Sequence, residues 1–287
     1  MPTTTELSPA GQTLADDIKK QLNSGNIEVP LLPEVASRVI ALSQDSESEI
    51  TDLAQLVQSD PSLAAHVMRI ANSAAYTPNG SLVSLQQAIT RLGMNLICDI
   101  AVAASISTKM FKAPGFETHI NQTWKHALAT ALWAKEIART CRLNVEATFL
   151  CGLLHSIGRP VTIQAACDSS KRSGTQLSEE DAFPLEEALN IEVGSCVLQR
   201  WEMPIIICEA LQYLHDYNAA PHAVEQTMIV NASALFASHM LDDEALTRED
   251  LIAKDVLGDL NLYQDEIEKL LEKRDDIVSS MEAMSDS

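Results

Sequence analysis

The sequence predicts an all-α protein, an N-terminal helical lobe followed by a second helical lobe. Three observations carry this. Apolar residues recur at helical spacing along most of the chain. Glycines (10) and prolines (11) are sparse and sit where such runs begin or end. No stretch alternates polar and apolar residues long enough to build a sheet. Hydrophobic residues make up 46% of the 287 and aromatics only 4%, so the core is built mainly from Ala, Leu, Ile and Val.

Residues 1–24 read as a polar leader and an amphipathic helix, with Leu14, Ile18 and Leu22 on one stripe and NSGN (23–26) ending it. Residues 29–43 restart with Pro33 in a first turn and bury Val35, Val39, Ile40 and Leu42. Ile50, Leu53, Leu56 and Val57 form the next stripe. Asp60-Pro61 is a strong helix start, Asp as N-cap and Pro at the first helical position, leading into Leu63, Val67, Ile70 and Ala71. Within that segment Arg69 and Asn72 either tie lobes together or face water. A loop over 77–83 precedes a capping box of Ser84 and Gln87, a short helix ending at Gly93, and a long apolar helix over 96–111 with Asn95 as its cap.

KAPGFE (112–117) is the best candidate boundary between lobes. Beyond it Trp124, Leu128, Ala131, Leu132 and Ile137 mark another amphipathic helix, then come 146–157 and RPVTIQ. Residues 168–184 are polar and loop-like, with Pro184 near a new helix start. Helices follow from Pro204, over roughly 222–241, and over 262–284. The expected organisation is 1–24 leader and first helix, 25–117 first lobe, 118–241 second lobe, 242–287 C-terminal helical extension.

Net charge is −20, from 40 acidic and 20 basic residues, with no Lys/Arg-rich run. Such a surface repels nucleic-acid phosphates and anionic headgroups, so neither nucleic acid nor membrane is an expected partner. No apolar run approaches the roughly 20 residues of a spanning helix. The six cysteines show no CxxC or other short metal spacing, and no signal peptide precedes them. Reduced, mostly buried thiols and a cytoplasmic setting are the expectation.

FLCGLLHSIGRP (149–160) raises the functional question. His followed by Asp on a helix would present two ligands about 100° apart, able to grip one ion with help from neighbouring helices. Here Ser156 follows His155. His126 in TWKHALATA and His215 in LQYLHDY are the other histidines a helical bundle could bring to the same place.

The series LLPEVASRVIALSQD, SDPSLAAHVMRIANSAAY, SLQQAITRLGMNLICDIAVA, TWKHALATALWAKEIA, FLCGLLHSIGRP and VGSCVLQRWEMPIIICEAL resembles the HDOD (HD-related output domain) family, from about residue 25 to about 240. The resemblance implies a helical lobe joined to an HD-like lobe. It also implies kinship with HD metal-dependent phosphohydrolases, a decayed metal site, and a place in bacterial signal transduction. Carried over by position, His126 matches the first His of the HD pattern and His155 the His of the adjacent pair. Ser156 stands in place of its Asp, Ser233 falls where the last Asp belongs, and His215 matches one of a His-His pair whose other place holds Leu214.

Both metal-binding carboxylates are then missing. Mg²⁺ and Mn²⁺ need anionic oxygen ligands, and without a metal no water is activated. The expectation is no metal, no cofactor and no catalysis: an adaptor that binds an unidentified signalling protein or small ligand through its two-lobe surface. Other readings stay open. His126 and His155 also read as core histidines bonded within the helix, and His215 as decoration of a helix end. A soft-metal site using these histidines with Asp216, or with Cys151 four residues before His155, also stays open. A residual phosphohydrolase or phosphodiesterase acting on a nucleotide is the enzyme alternative. Paired helices with tight turns keep a nucleic-acid binder in view, against the charge.

Overall fold

The computed structural model describes residues 7–44, 47, 49–78, 81–106, 110–145 and 147–285. Among them every regular element is a helix. The first six are α1 (Pro9–Asn23), α2 (Glu34–Gln44), α3 (Ile50–Gln58), α4 (Pro61–Ala71), α5 (Leu85–Leu92) and α6 (Met94–Ser105). The next six are α7 (Glu117–Cys141), α8 (Thr148–Leu154), α9 (Gly158–Ser173), α10 (Glu179–Arg200), α11 (Ile205–Gln212) and α12 (Val224–Leu241). A 3-10 turn at Tyr217–Ala219 separates the last two. Four helices close the chain: α13 (Arg248–Ile252), α14 (Asp255–Asp259), α15 (Gln264–Leu271) and α16 (Arg274–Ser285).

Local chemistry sets the starts. The Asp60 carboxylate accepts from the backbone N–H of Ser62 and Leu63, and Pro61 fills the first position of α4, as the sequence predicts. Ser84 accepts from the Gln87 N–H, but the Gln87 side chain reaches back to Val83 rather than to Ser84 itself. Asn72 is half-buried and acts locally. It bonds the Met68 and Leu82 carbonyls and the Leu82 N–H, clasping the loop that follows α4.

In the first half α2–α5 surround the apolar α6, whose Ile97, Ile100 and Ala101 are fully buried. In the second half α7 packs along α8 and α12, and α9 along α10. The connection at 112–116 lies between α6 and α7. One continuous apolar core runs across it. The first and last helices also bridge: α1 lies on α9 and α10, and α16 lies across α7 and α6.

Four expectations are corrected. The apolar helix begins at Met94 and ends at Ser105, so Asn95 does not cap it. Gly93, at φ 88°, ends α5 and starts α6 in a conformation only glycine adopts freely. Residues 107–109 of the expected 96–111 helix lie outside the described residues. Residues 168–173 and 179–184 are helical, and only 174–178 connect them. Their polar side chains face α1 rather than water alone. Asp17 accepts from Ser169 and Arg172, and Asp181 accepts from the backbone N–H and hydroxyl of Ser8. Pro184 lies inside α10, two turns or less from its start, where the lost backbone bond is a local defect. The expected helix over 262–284 is two, α15 and α16, broken at 272–273. Helices α13 and α14 fall within the expected C-terminal helical extension, although the sequence reading singled out neither as an element. The six cysteines are free thiols, three buried and three half-buried.

Candidate functional site

The site forms where α7, the α8–α9 corner and α12 meet. His155 is not in mid-helix. It is the residue that ends α8, and Ser156 and Ile157 turn the chain into α9. Two glycines make the corner possible. A Cβ on Gly152 would lie 2.6 Å from the Ala131 Cα of α7, and one on Gly158 would lie 1.8 Å from the Asn190 carbonyl oxygen of α10. Helices can approach this closely only where no side chain intervenes.

His155 and His126 come together, ring centroids 5.7 Å apart. The Nδ1 of His155 lies 2.6 Å from the Gly152 carbonyl, which can only accept, so Nδ1 carries the proton and Nε2 presents a bare lone pair. The Nε2 of His126 lies 3.0 Å from the Ser238 hydroxyl. That hydroxyl donates to the Ala234 carbonyl, so His126 must donate to it and its Nε2 is committed. Burial pushes the His155 imidazole down to about 3, with His126, Arg159 and His215 adding to the effect. Burial and then Arg159 push His126 down to about 4. Both rings are therefore neutral at physiological pH.

A cavity of about 750 Å³ opens over this pair. Its opposite wall holds a group that motif reading missed. Glu186, fully buried, accepts from Arg159 at 3.0 Å and from His119 at 2.5 Å. Arg159 also bonds Glu187, and the Phe183 ring packs 4.6 Å from the His119 ring. Both Glu186 oxygens are thus occupied. Arg159 stood inside the sequence motif, but nothing in the sequence pairs it with a glutamate 27 residues on.

His215 is exposed and lines the cavity rim, with Leu214 beside it, while Asp216 is not among the lining residues. Ser156 lines the floor. Ser233 is the correction. It is fully buried, does not line the cavity, and donates to the Ile229 carbonyl of its own helix. The residues of α12 that face the cavity include Asn231, Ala234 and Ser238. Cys151 turns away from His155 toward the Ile206 carbonyl.

The donors present do not fit a hard divalent ion. One imidazole nitrogen of each ring is committed, a hydroxyl stands at Ser156, Glu186 is neutralised by an arginine, and Asp242 of the lining accepts from the Ala245 N–H. Among the described residues no three His, Cys, Asp or Glu side chains are grouped so as to hold a metal ion. Among them, too, no helix is long and apolar enough to cross a membrane.

Known proteins fit this architecture. An HDOD domain protein of unknown function from Geobacter sulfurreducens superposes with a TM-score of 0.73, at 26% identity, over 96% of this chain and 97% of its own. A Shewanella amazonensis SB2B protein, named a candidate metal-dependent phosphohydrolase, superposes with a TM-score of 0.72 at 18% identity, covering 97% of this chain and 99% of its own; that likeness is one of fold. An uncharacterised Treponema pallidum (strain Nichols) protein is 20% identical over 230 residues, 76% of this chain, and the chain spans only 43% of that relative's length. Residues 29–217 match the HDOD domain model, and the chain belongs to the HDOD family.

Proposed function

We propose that this HDOD protein is a non-catalytic signalling adaptor whose cavity over His126 and His155 binds a small polar ligand or a polar segment of a partner. Family membership supports a role of signalling type. The observation that carries the reading is that hydroxyls, not carboxylates, stand beside two neutral histidines. Ser156 lines the cavity at the HD position, and Ser238 engages His126. What remains is a concave, water-accessible set of hydrogen-bonding groups: the His155 Nε2, the Ser156 hydroxyl, and the amides of Asn190 and Asn231. Such a set recognises a polar ligand and supplies no anionic cage for an ion that would activate water.

The test adds back what is missing. The purified protein should contain no stoichiometric Mn, Fe or Zn and should not hydrolyse phosphodiesters. Ser156→Asp with Ser238→Asp places two carboxylates beside His126 and His155. Mn²⁺ should then raise the melting temperature of the double variant and not of the wild type. Ser233→Asp is the control: its carboxylate would be buried in the core, so it should destabilise with or without Mn²⁺. One equivalent of metal in the wild type, with phosphodiester cleavage, would overturn the proposal in favour of the phosphohydrolase reading.

A further inference from the structure

A second concavity lies C-terminal to the span matched to the family, sharing with it only Tyr217. It is a groove of about 760 Å³ between the 3-10 turn at Tyr217–Ala219, the 252–254 bend, α14 and α15. None of its lining residues lines the histidine cavity. Leu257, Leu262 and Ile267 are buried beneath it, and Tyr217 and Tyr263 form its walls, the latter 70% exposed. Gly258 opens onto it: a Cβ added there would meet nothing within 4 Å.

The charge around this apolar floor is one-sided. Asp255 and Asp259 line the groove and are exposed, and the Asp259 carboxylate accepts from the Tyr217 hydroxyl at 2.6 Å. Glu249 and Asp250 stand on α13, and Asp265, Glu266 and Glu268 on α15. Of the cations on these elements, Arg248 pairs with Glu268 and Lys269 with Asp265. That leaves Lys254 in the wall against the remaining acids. Every backbone segment around the groove is helix or turn, so an incoming chain cannot add as a strand and must bind through side chains.

We propose that this groove is a docking site for a cationic amphipathic helix of a partner protein. Its apolar side chains would seat between Tyr217 and Tyr263, over the nearly covered Leu257, Leu262 and Ile267, and its Lys or Arg residues would face Asp255 and Asp259. The acidic rim would steer the encounter and reject acidic partners, while the tyrosine walls would supply the apolar contact. The site stands apart from the histidine cavity, so either proposal can fail without the other.

The probe is a synthetic Leu/Lys amphipathic peptide of roughly 18 residues, long enough to hold a helix. Titration against the full chain at about 0.15 M salt should show one-to-one binding. A Leu/Glu peptide of the same pattern should not bind. A Lys/Ser peptide of equal charge should bind about tenfold more weakly or less well still. The decisive variant is Gly258→Trp, which fills the groove without changing charge; it should weaken binding about tenfold or more at unchanged thermal stability. Should that variant fold poorly, Asp255→Asn with Asp259→Asn, which keeps an acceptor for Tyr217, should weaken binding and flatten its salt dependence. Ser156→Asp should leave binding unchanged. Equal binding by the Gly258→Trp variant, or by the Lys/Ser peptide, would reduce the effect to bulk charge attraction and overturn the proposal. So would a wild-type dimer that Gly258→Trp dissolves, since the occupant would then be a second copy of the chain.

Discussion

Helix α7 carries two buried polar centres on opposite faces. Lys135 pairs with Asp99 of α6, and its ammonium also sits 5.7 Å over the Phe149 ring. His126 lies nine residues earlier, which at about 100° per residue turns it to the other side, toward α12 and the cavity. The first centre is ionised and closed, each charge answered by the other. The second is neutral and open, two imidazoles with hydrogen-bonding capacity still facing a void. The difference separates a polar group that holds helices together from one kept available. Both are costly to bury, but only the second leaves anything for a ligand to use.

The largest expected effect falls on the closed centre. Lys135→Met keeps the stem that packs on Phe149 but strands the Asp99 carboxylate, and should destabilise by about 3–5 kcal/mol near neutral pH. The pH dependence has a definite sign. Burial raises the Asp99 carboxyl from 3.8 to about 6, against the lowering influence of Lys135 and Arg139. For a carboxyl raised in this way, the favourable contribution is complete below about 3.8 and fades as pH rises through about 6. Removing Lys135 lifts the carboxyl further, so the variant should lose less stability at pH 5 than at pH 8 in denaturant titrations. Replacing both partners, Asp99→Leu with Lys135→Met, should recover most of the loss. A single variant within ~0.5 kcal/mol of wild type would show the pair to be an ordinary surface contact.

The open centre should respond to shape instead. Gly158→Ala drives a methyl group into the Asn190 carbonyl and pushes α9 away from α10. It should destabilise by about 1–3 kcal/mol or more, independently of pH. The same shift would pull Arg159 from Glu186 and widen the cavity. A variant of wild-type stability would mean that the corner around His155 is loosely packed, and the contrast between a closed and an open centre would weaken.

These two centres were unequally legible in the sequence. His126 and His155 could be paired from motif order, because each occurs in a segment with its own apolar frame. The Asp60-Pro61 helix start was equally plain, since the N-cap and the following Pro act through neighbours in sequence. Ser233 was misplaced for a physical reason. Helix α12 is buried on several sides, with Ile229, Val230, Ala232, Phe236 and Ala237 all in the core, so no apolar stripe tells which face meets the cavity. An error of one residue turns a side chain by about 100°. The 168–184 stretch looked like a loop because its polar residues answer Asp17 and Ser8, more than 150 positions away in sequence. The Arg159–Glu186–His119 group is likewise assembled only by the fold. Gly152 and Gly158 were the overlooked local signal: glycines in apolar helical segments on either side of His155 mark close helix contacts.

The smallest effect gives the sharpest view of the open centre. Ser238→Ala removes the acceptor that holds the His126 Nε2 and one bond to the Ala234 carbonyl. Because the cavity admits water, the loss should stay near 1 kcal/mol, the ordinary net worth of a hydrogen bond, and far below that of Lys135→Met. His126 should become easier to ligate, since its Nε2 is no longer held as a donor, but harder to protonate, since the lost acceptor favoured the imidazolium while burial and Arg159 still oppose its charge. Imidazole NMR titration would read this as a downward shift from about 4 for His126. His155, fixed through the Gly152 carbonyl, should move much less. A loss of several kcal/mol would instead make Ser238 a sealed structural contact. The two faces of α7 would then be alike, and the cavity would be a packing defect with nothing held ready for a ligand.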